Sequence, residues 1–354
     1  MNGKIETAEF AQCAIPFSGH ETVQLSHGSG GKMMNNLISQ FFLQAFDNPH
    51  LNKLNDQAVL DVGGKKLAFS TDSFVVDPLF FPGGNIGELA VYGTVNDVCL
   101  CGARPLFLSV GFIIEEGFPL AQLQKITKAM QQAAKRAGVL IVTGDTKVVD
   151  KGKGDKVFIN TAGIGLLEND YEVSAERARP GDAILLSGTL ADHGVAILSK
   201  REGLAFETSI ESDTAPLNGL VQTILETGGH AVRAMRDPTR GGLAATLNEL
   251  ADISQTGLRI REDKIPVKPA VMGACEILGL DPLHVANEGK LVAVVATEQA
   301  EAILQAMRSH PLGRDASIIG DVVAENPGMV SMQTPIGAWR IVDMLVGEQL
   351  PRIC

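Results

Sequence analysis

The sequence predicts two α/β domains in succession, and three observations predict it. The chain has 354 residues, room for two ordinary domains, each with its own core. Helical and strand-like apolar patterns alternate along it. Residues 151–155 (KGKGD) and the turn Arg179-Pro180-Gly181-Asp182 interrupt that alternation near the middle, which puts a domain boundary near residue 180.

Residues 1–24 have no clear periodicity and read as an N-terminal extension. Residues 32–46 set Met33, Met34, Leu37, Ile38, Phe41, Phe42 and Phe46 on one helical stripe. The stretches 58–62 and 66–76 flank Gly63-Gly64, a pair able to take the positive φ angles of a tight turn, so a β-hairpin is expected. A helix over 86–100, a strand over 106–114, a helix over 120–137 and strands over 139–143 and 157–167 complete a first domain, 25–180. In the second domain, 181–345, residues 183–187 and 291–296 read as strands, and 194–200, 215–226, 241–253, 268–278 and 297–308 as helices. Residues 346–354 hold a proline and no core pattern, so an exposed, mobile tail is expected.

Composition removes several function classes. Thirty Lys and Arg against 41 Asp and Glu leave a net charge of -11, the wrong sign for nucleic acid. Thirty-eight glycines without a collagen period belong at turns and close-approach loops, as in a ligand-binding enzyme. Cys13, Cys99, Cys101, Cys275 and Cys354 are odd in number and unevenly spaced, so no disulfide framework is expected. The first twenty residues carry Glu6 and Glu9 without a basic head or a sustained apolar run, and the apolar stretch 91–114 is broken by Asp97, Arg104 and Pro105, so no signal peptide, no membrane span and a cytoplasmic location are expected.

Four features could carry chemistry. In His27-Gly28-Ser29-Gly30-Gly31-Lys32, three glycines ahead of a helix could let backbone N–H groups approach an anion; alone, the loop reads equally well as flexible punctuation. Asp56, Asp72, Asp97, Asp145 and Asp237 suit magnesium with nucleotide phosphates as a group, although each alone reads as a turn or capping residue. Asp72 and Asp145 are expected at the ends of strands, where α/β ligand sites gather. Arg240, in DPTRGG, could clamp a phosphate, and Glu288, in Asn287-Glu288-Gly289-Lys290, could act as a base.

HGSGGK at 27–32, FSTDSFVVDPLFFPGGNIGELAVYGTVNDV at 69–98, VTGDTKVV at 142–149, INTAGIG at 159–165, DPTRGGL at 237–243, KPAV at 268–271, ANEGKLV at 286–292, HPLG at 310–313 and terminal PRIC resemble, in order and spacing, the HypE family of hydrogenase maturation factors. The resemblance runs from residue 25 to the C-terminus. It implies the aminoimidazole ribonucleotide synthetase, PurM-like superfamily, in which the N-terminal domain binds ATP and dimerises through its strands and the C-terminal domain closes the cleft. The family's activity is carbamoyl dehydration. A terminal cysteine, here Cys354, receives a carbamoyl group from the HypF carbamoyltransferase, and ATP drives its dehydration to a thiocyanate. The cyanide then passes through the HypC–HypD complex to the iron of a nickel-iron hydrogenase.

The resemblance further implies Asp56, Asp97 and Asp237 as magnesium ligands, with Asp72 close to metal or nucleotide. Gly28, Gly30, Gly31, Lys32, Asn96, Gly144, Asp145, Thr146 and Arg240 would bind the nucleotide, Lys32 and Arg240 neutralising phosphate charge. Glu288 would remove nitrogen protons, with Lys147 and His27 orienting or stabilising. Cys354 reads as a carrier, because the carboxylate on the same residue raises its thiol pKa and Arg352 only partly offsets this. The tail from Gly347 reaches ~26–29 Å when extended, and Pro351 keeps its end from turning helical. The rival readings are a superfamily phosphotransferase acting on a free small molecule, such as selenophosphate synthetase or thiamine-monophosphate kinase, and a non-catalytic scaffold that presents its tail.

Overall fold

The computed structural model describes residues 22–204, 209–347, 350 and 352–354. Cys13, Pro351 and all but the last three residues of the expected N-terminal extension lie outside them. The predicted first helix is present as α1 (Lys32–Leu37) and α2 (Leu43–Phe46), joined through a π-helical turn over Ile38–Phe42. Its apolar stripe does not enter a core, and Phe41, Phe42 and Phe46 stay exposed.

Strands β1 (Ala58–Val62) and β2 (Lys65–Phe74) form the expected hairpin, with Gly63 and Gly64 at φ +61° and +81°. A short hairpin of β3 (Phe80–Phe81) and β4 (Gly84–Asn85) feeds α3 (Ile86–Cys99), whose N-terminus is capped by Asn85 Oδ1 accepting from Gly87 N at 2.8 Å. Then follow β5 (Arg104–Glu115), α4 (Leu120–Ala137), β6 (Leu140–Val149) and β7 (Val157–Leu166). The five-stranded sheet has the order β1-β2-β7-β5-β6, antiparallel except for β5 beside β6. One face packs on α3, and the core there includes Phe74, Leu89, Val95, Leu108 and Ile159. The other face carries Phe69, Phe107, Ile113 and Ile164, all more than a third exposed.

A glycine permits the close packing of α3 on that sheet. A Cβ at Gly165 in β7 would meet Val98 Cγ1 at 2.6 Å and the Arg104 carbonyl oxygen at 3.0 Å. Gly165→Ala should therefore destabilise the chain by about 1–3 kcal/mol, as overpacking does. The check is the urea midpoint at unchanged slope, and an unshifted midpoint would contradict this packing.

The second sheet follows β8 (Ala183–Leu186), α5 (Asp192–Arg201), α6 (Asn218–Gly228), β9 (Val232–Arg236), α7 (Gly242–Ser254), β10 (Gly257–Arg261), α8 (Pro269–Leu278), β11 (Val292–Val295), α9 (Thr297–Ser309), β12 (Ser317–Val323), β13 (Val330–Gln333) and β14 (Trp339–Val342). Its order is β14-β13-β10-β12-β8-β11-β9. β8 and β11 are buried at every position, because separate apolar cores cover the two faces: α7 and α8 on one, α6 and α9 on the other. That is why they read as unbroken apolar runs.

Two expectations are corrected. Asp72 and Asp145 lie within β2 and β6, not at strand ends, because β6 pairs with β5 through Val149. The chain end is docked, not exposed: Ile353 and Cys354 are 4% and 9% exposed and join the core under α3. Val75 N donates to the Cys354 carboxylate oxygen at 3.0 Å and Asp77 N to Arg352 O at 3.2 Å. The register is that of an antiparallel strand added beside residues 75–77, so main-chain pairing and the apolar Ile353 outweigh the polar composition of the tail.

Candidate active site

A cleft of about 1950 Å³, counting space open to solvent, is lined by Asp56, Asp72, Asp97, Asp237, Arg240, Glu288 and Cys354 together. The first domain supplies three of the acids. Asp56 immediately precedes the hairpin, Asp97 sits in the last turn of α3, and Asp72 shares strand parity with Ala68, Ser70 and Phe74, all buried toward α3. Ser70 bridges two of these elements, its Oγ lying 2.9 Å from Asp97 Oδ2 and 2.8 Å from Asp56 O, and its one hydrogen serves either acceptor. The second domain supplies Asp237 and Arg240 from the turn between β9 and α7, and Glu288 from the segment before β11.

Burial raises the pKa of every one of these acids, and like charge adds to it for Asp97, Asp237 and Glu288. Asp97 and Asp237 are pushed well above the usual carboxylate range by burial and then by neighbouring acids, Asp237 foremost for Asp97 and Asp56 for Asp237. Glu288 is raised in the same way, by burial and by Asp237 and Asp72, with Arg240 opposing. Asp56 and Asp72 are raised by burial and held down by Arg236 and Arg240 respectively. Such crowding calls for a positive partner. Burial also pushes the Cys354 thiol upward, against the pull of Arg240. Arg352, the group expected to offset that rise, is committed to Asp155 and to Val75 O, 3.0 Å away.

The glycine loop, read from sequence as either an anion cradle or flexible punctuation, packs closely against neighbouring backbone. A Cβ at Gly30 (φ +79°) would lie 2.4 Å from Arg240 O, and one at Gly31 would lie 2.4 Å from Leu345 O. The Lys32 N–H donates to Leu345 O at 2.9 Å, and Lys32 Nζ, expected to neutralise phosphate charge, pairs with Asp343 at 2.6 Å. The loop thus seats Arg240 and the root of the tail, and Gly28 and Gly31 line a cavity of about 610 Å³ beside Arg240 and Cys354. His27 turns back on Gln24, its Nδ1 accepting from Gln24 N at 2.9 Å.

Asn96, expected to bind the nucleotide, is buried and spends its amide on a domain joint. It donates to Ala215 O at 3.1 Å and Glu288 O at 3.4 Å and accepts from Leu217 N at 2.8 Å. Its backbone grip therefore fixes the Glu288 segment. Gly144, Asp145, Thr146 and Lys147 lie on β6, the sheet edge, about three strand spacings, roughly 14 Å, from the β2 segment bearing Asp72. Lys147 Nζ pairs with Asp145 at 2.6 Å, and this lowers the Asp145 pKa. Both line a recess that shares Val75 with the cavity beside Cys354.

Sequence reasoning missed the groups that hold the site together. Asn287 donates to Pro238 O and Val285 O, each at 3.0 Å, and accepts from Ala191 N at 2.8 Å, tying the Asp237 turn to Glu288. Arg236 donates to Glu249 at 2.6 Å and lies 3.6 Å from Asp56. Lys290 and Asp213 form a buried ion pair at 3.2 Å, and Asp213 Oδ1 accepts from Glu288 N at 3.0 Å. An acid beside a buried-looking strand was the available signal for Glu288; nothing local marks Asp213 as its support.

The AIR synthase related protein families match this chain, the N-terminal domain over residues 54–167 and the C-terminal domain over 179–332. The chain is 60% identical over 332 residues to carbamoyl dehydratase HypE of Bradyrhizobium diazoefficiens, covering 94% of this chain and 96% of that protein. A crystal structure of a HypE–HypF complex matches with a TM-score of 0.84 at 52% identity, over 87% of this chain and 99% of that one. A structure of HypE in complex with ATP matches with a TM-score of 0.79 at 53% identity, over 94% and 100%. The chain therefore belongs to the AIR synthase related family and, within it, to the carbamoyl dehydratases of the HypE type.

Proposed function

We propose that this chain dehydrates a carbamoyl group carried on Cys354 Sγ to a thiocyanate, with ATP as a substrate, to supply the cyanide ligand of a nickel-iron hydrogenase. The observation that carries the reading is a buried C-terminal cysteine sharing one cleft with Asp56, Asp72, Asp97, Asp237, Arg240 and Glu288. A phosphotransferase for a diffusible molecule needs no such cysteine, and a scaffold needs no such acids.

A carboxamide oxygen is a poor leaving group, and phosphorylation makes it a good one. The carbamoyl oxygen takes the γ-phosphoryl group and ADP is released; the C–O bond then breaks with loss of phosphate while nitrogen gives up both protons and the C–N triple bond forms. Glu288 is the proton acceptor: it is buried, its Oε1 has no hydrogen-bond partner among the described residues, and its raised pKa makes it a stronger base than a free carboxylate. Arg240 faces the phosphate charge, and its own neighbours, Cys354 foremost, favour its charged form.

The acids fit magnesium. Among the described residues no three His, Cys, Asp or Glu side chains converge on one point, and magnesium takes one or two carboxylates with phosphate oxygens and water. Asp56, Asp97 and Asp237 would supply those carboxylates, one or two to an ion, with Asp72 beside them, and a bound ion would supply charge neutralisation to the triphosphate. A heavy-oxygen label in the carbamoyl group tests the chemistry. The label should appear in inorganic phosphate; label released as water would overturn phosphorylation of that oxygen.

The partners we propose are HypF as carbamoyl donor and the HypC–HypD complex as cyanide acceptor, in the cytoplasm; among the described residues no helix is long and apolar enough to cross a membrane. The domains are proposed to divide near residue 180. A homodimer is proposed through the outward face of the first sheet, where Phe69, Phe107, Ile113 and Ile164 stand together beside the open edge strand β6. A second copy there would cover Asp145 and Lys147 and give them the low-dielectric surroundings a catalytic role needs. Sedimentation at micromolar concentration should give a dimer, and a monomer would contradict it.

A further inference from the structure

Three tail carbonyls are bound one after another, and none of the bonds touches the cysteine side chain. Arg352 O accepts from Arg201 Nη2 at 2.8 Å and from Asp77 N, the Ile353 O lies 2.8 Å from His193 Nε2, and the Cys354 carboxylate accepts from Val75 N. His193 and Arg201 both belong to α5, so one helix of the second domain grips the tail against residues 75–77 of the first.

The partners of His193 fix its tautomer. The Ile353 carbonyl can only accept, so Nε2 carries the proton. Nδ1 then accepts from Ser212 Oγ at 2.8 Å, and Ser212, its one hydrogen spent, accepts from Thr214 Oγ1 at 2.6 Å and Thr214 N at 3.1 Å. The ring is fully buried with Phe81 edge-on at 5.6 Å, and burial keeps its pKa below the usual imidazole range against the pull of Asp213. Gly194, next along α5, leaves room for the tail: a Cβ there would lie 3.2 Å from Leu350 Cδ1.

We propose that His193, acting through the Ile353 carbonyl, is the positioning residue that fixes where the Cys354 sulfur lies in the cleft, and that it does so whatever group the sulfur carries. A clamp that reads main-chain carbonyls holds thiol, thiocarboxamide and thiocyanate in the same register. The catalytic consequence rests on the dehydration reading above; the docking itself does not.

The test is the rate at which iodoacetamide alkylates Cys354 in the full chain, read from the mass of the C-terminal peptide. His193→Phe keeps a ring and loses the donor, so alkylation should rise about tenfold, the equivalent of one hydrogen bond to a buried carbonyl. His193→Gln restores an N–H donor and should stay near the wild-type rate. Ser212→Ala, a smaller change that frees the imidazole to adopt the wrong tautomer, should raise the rate severalfold. A wild-type rate in His193→Phe or Ser212→Ala, or a His193→Gln rate equal to that of His193→Phe, would overturn the clamp. On chain carbamoylated beforehand, His193→Phe should slow the loss of water, and an unchanged rate would overturn the positioning role. If wild-type carbamoylated chain loses no water with ATP, the dehydration reading fails, while the alkylation rates still decide the docking.

Discussion

Asp97→Asn and Asp237→Asn should each lower magnesium-dependent ATP turnover by about a hundredfold or more, at or beyond the upper end of the roughly 10–100-fold loss typical of an outer-shell partner of a metal site. Both acids line the cleft half-buried, and both are raised in pKa by desolvation and then by neighbouring acids, Asp237 foremost for Asp97 and Asp56 for Asp237. In the ligand-free chain that is unfavourable, so a neutral amide of the same shape relieves repulsion. The melting temperature without nucleotide should accordingly hold or rise while turnover collapses. A stable variant with undiminished turnover would remove that acid from the site, and a lower melting temperature would show that it serves the fold.

Cys354→Ala should abolish acceptance of the carbamoyl group and leave the nucleotide cleft intact. Cys99, Cys101 and Cys275 are buried within their domains, whereas Cys354 closes a tail held mainly by main-chain bonds, which would have to release for a partner to reach it. Its thiol, pushed up by burial, is a poor nucleophile where it lies docked, which agrees with a sulfur that receives its group from a partner enzyme. The measurement is intact mass after incubation with HypF, a carbamoyl donor and ATP. Modification persisting in Cys354→Ala would place the acceptor elsewhere.

Much of the fold was legible because its signals are local. The Gly63-Gly64 turn, the α4 amphipathic period and the buried runs of β8 and β11 each announce themselves within a few residues. The edges were less legible. The KGKGD stretch pointed to the break before β7, but β6 runs past its apolar start through Gly144 to Val149 because β5 offers it a partner. The acids and Arg240 could be picked out one by one, yet only the packing of two domains brings them to one cleft. The contacts that Asn96 and Lys32 make were illegible for the same reason: their partners, the Glu288 segment and Asp343, are distant in sequence. The docked tail was invisible, since PRIC has no periodicity and its burial depends on main-chain groups of residues 75–77 and on His193.

The central claim is that Cys354 carries the group that this chain itself dehydrates. Intact mass of the carbamoylated chain, followed before and after magnesium and ATP are added, tests it most directly. The account predicts that the mass of one carbamoyl group remains until both are present and that one water is then lost from the C-terminal peptide. Loss of water without ATP, or ATP consumption with the carbamoyl mass unchanged, would contradict it.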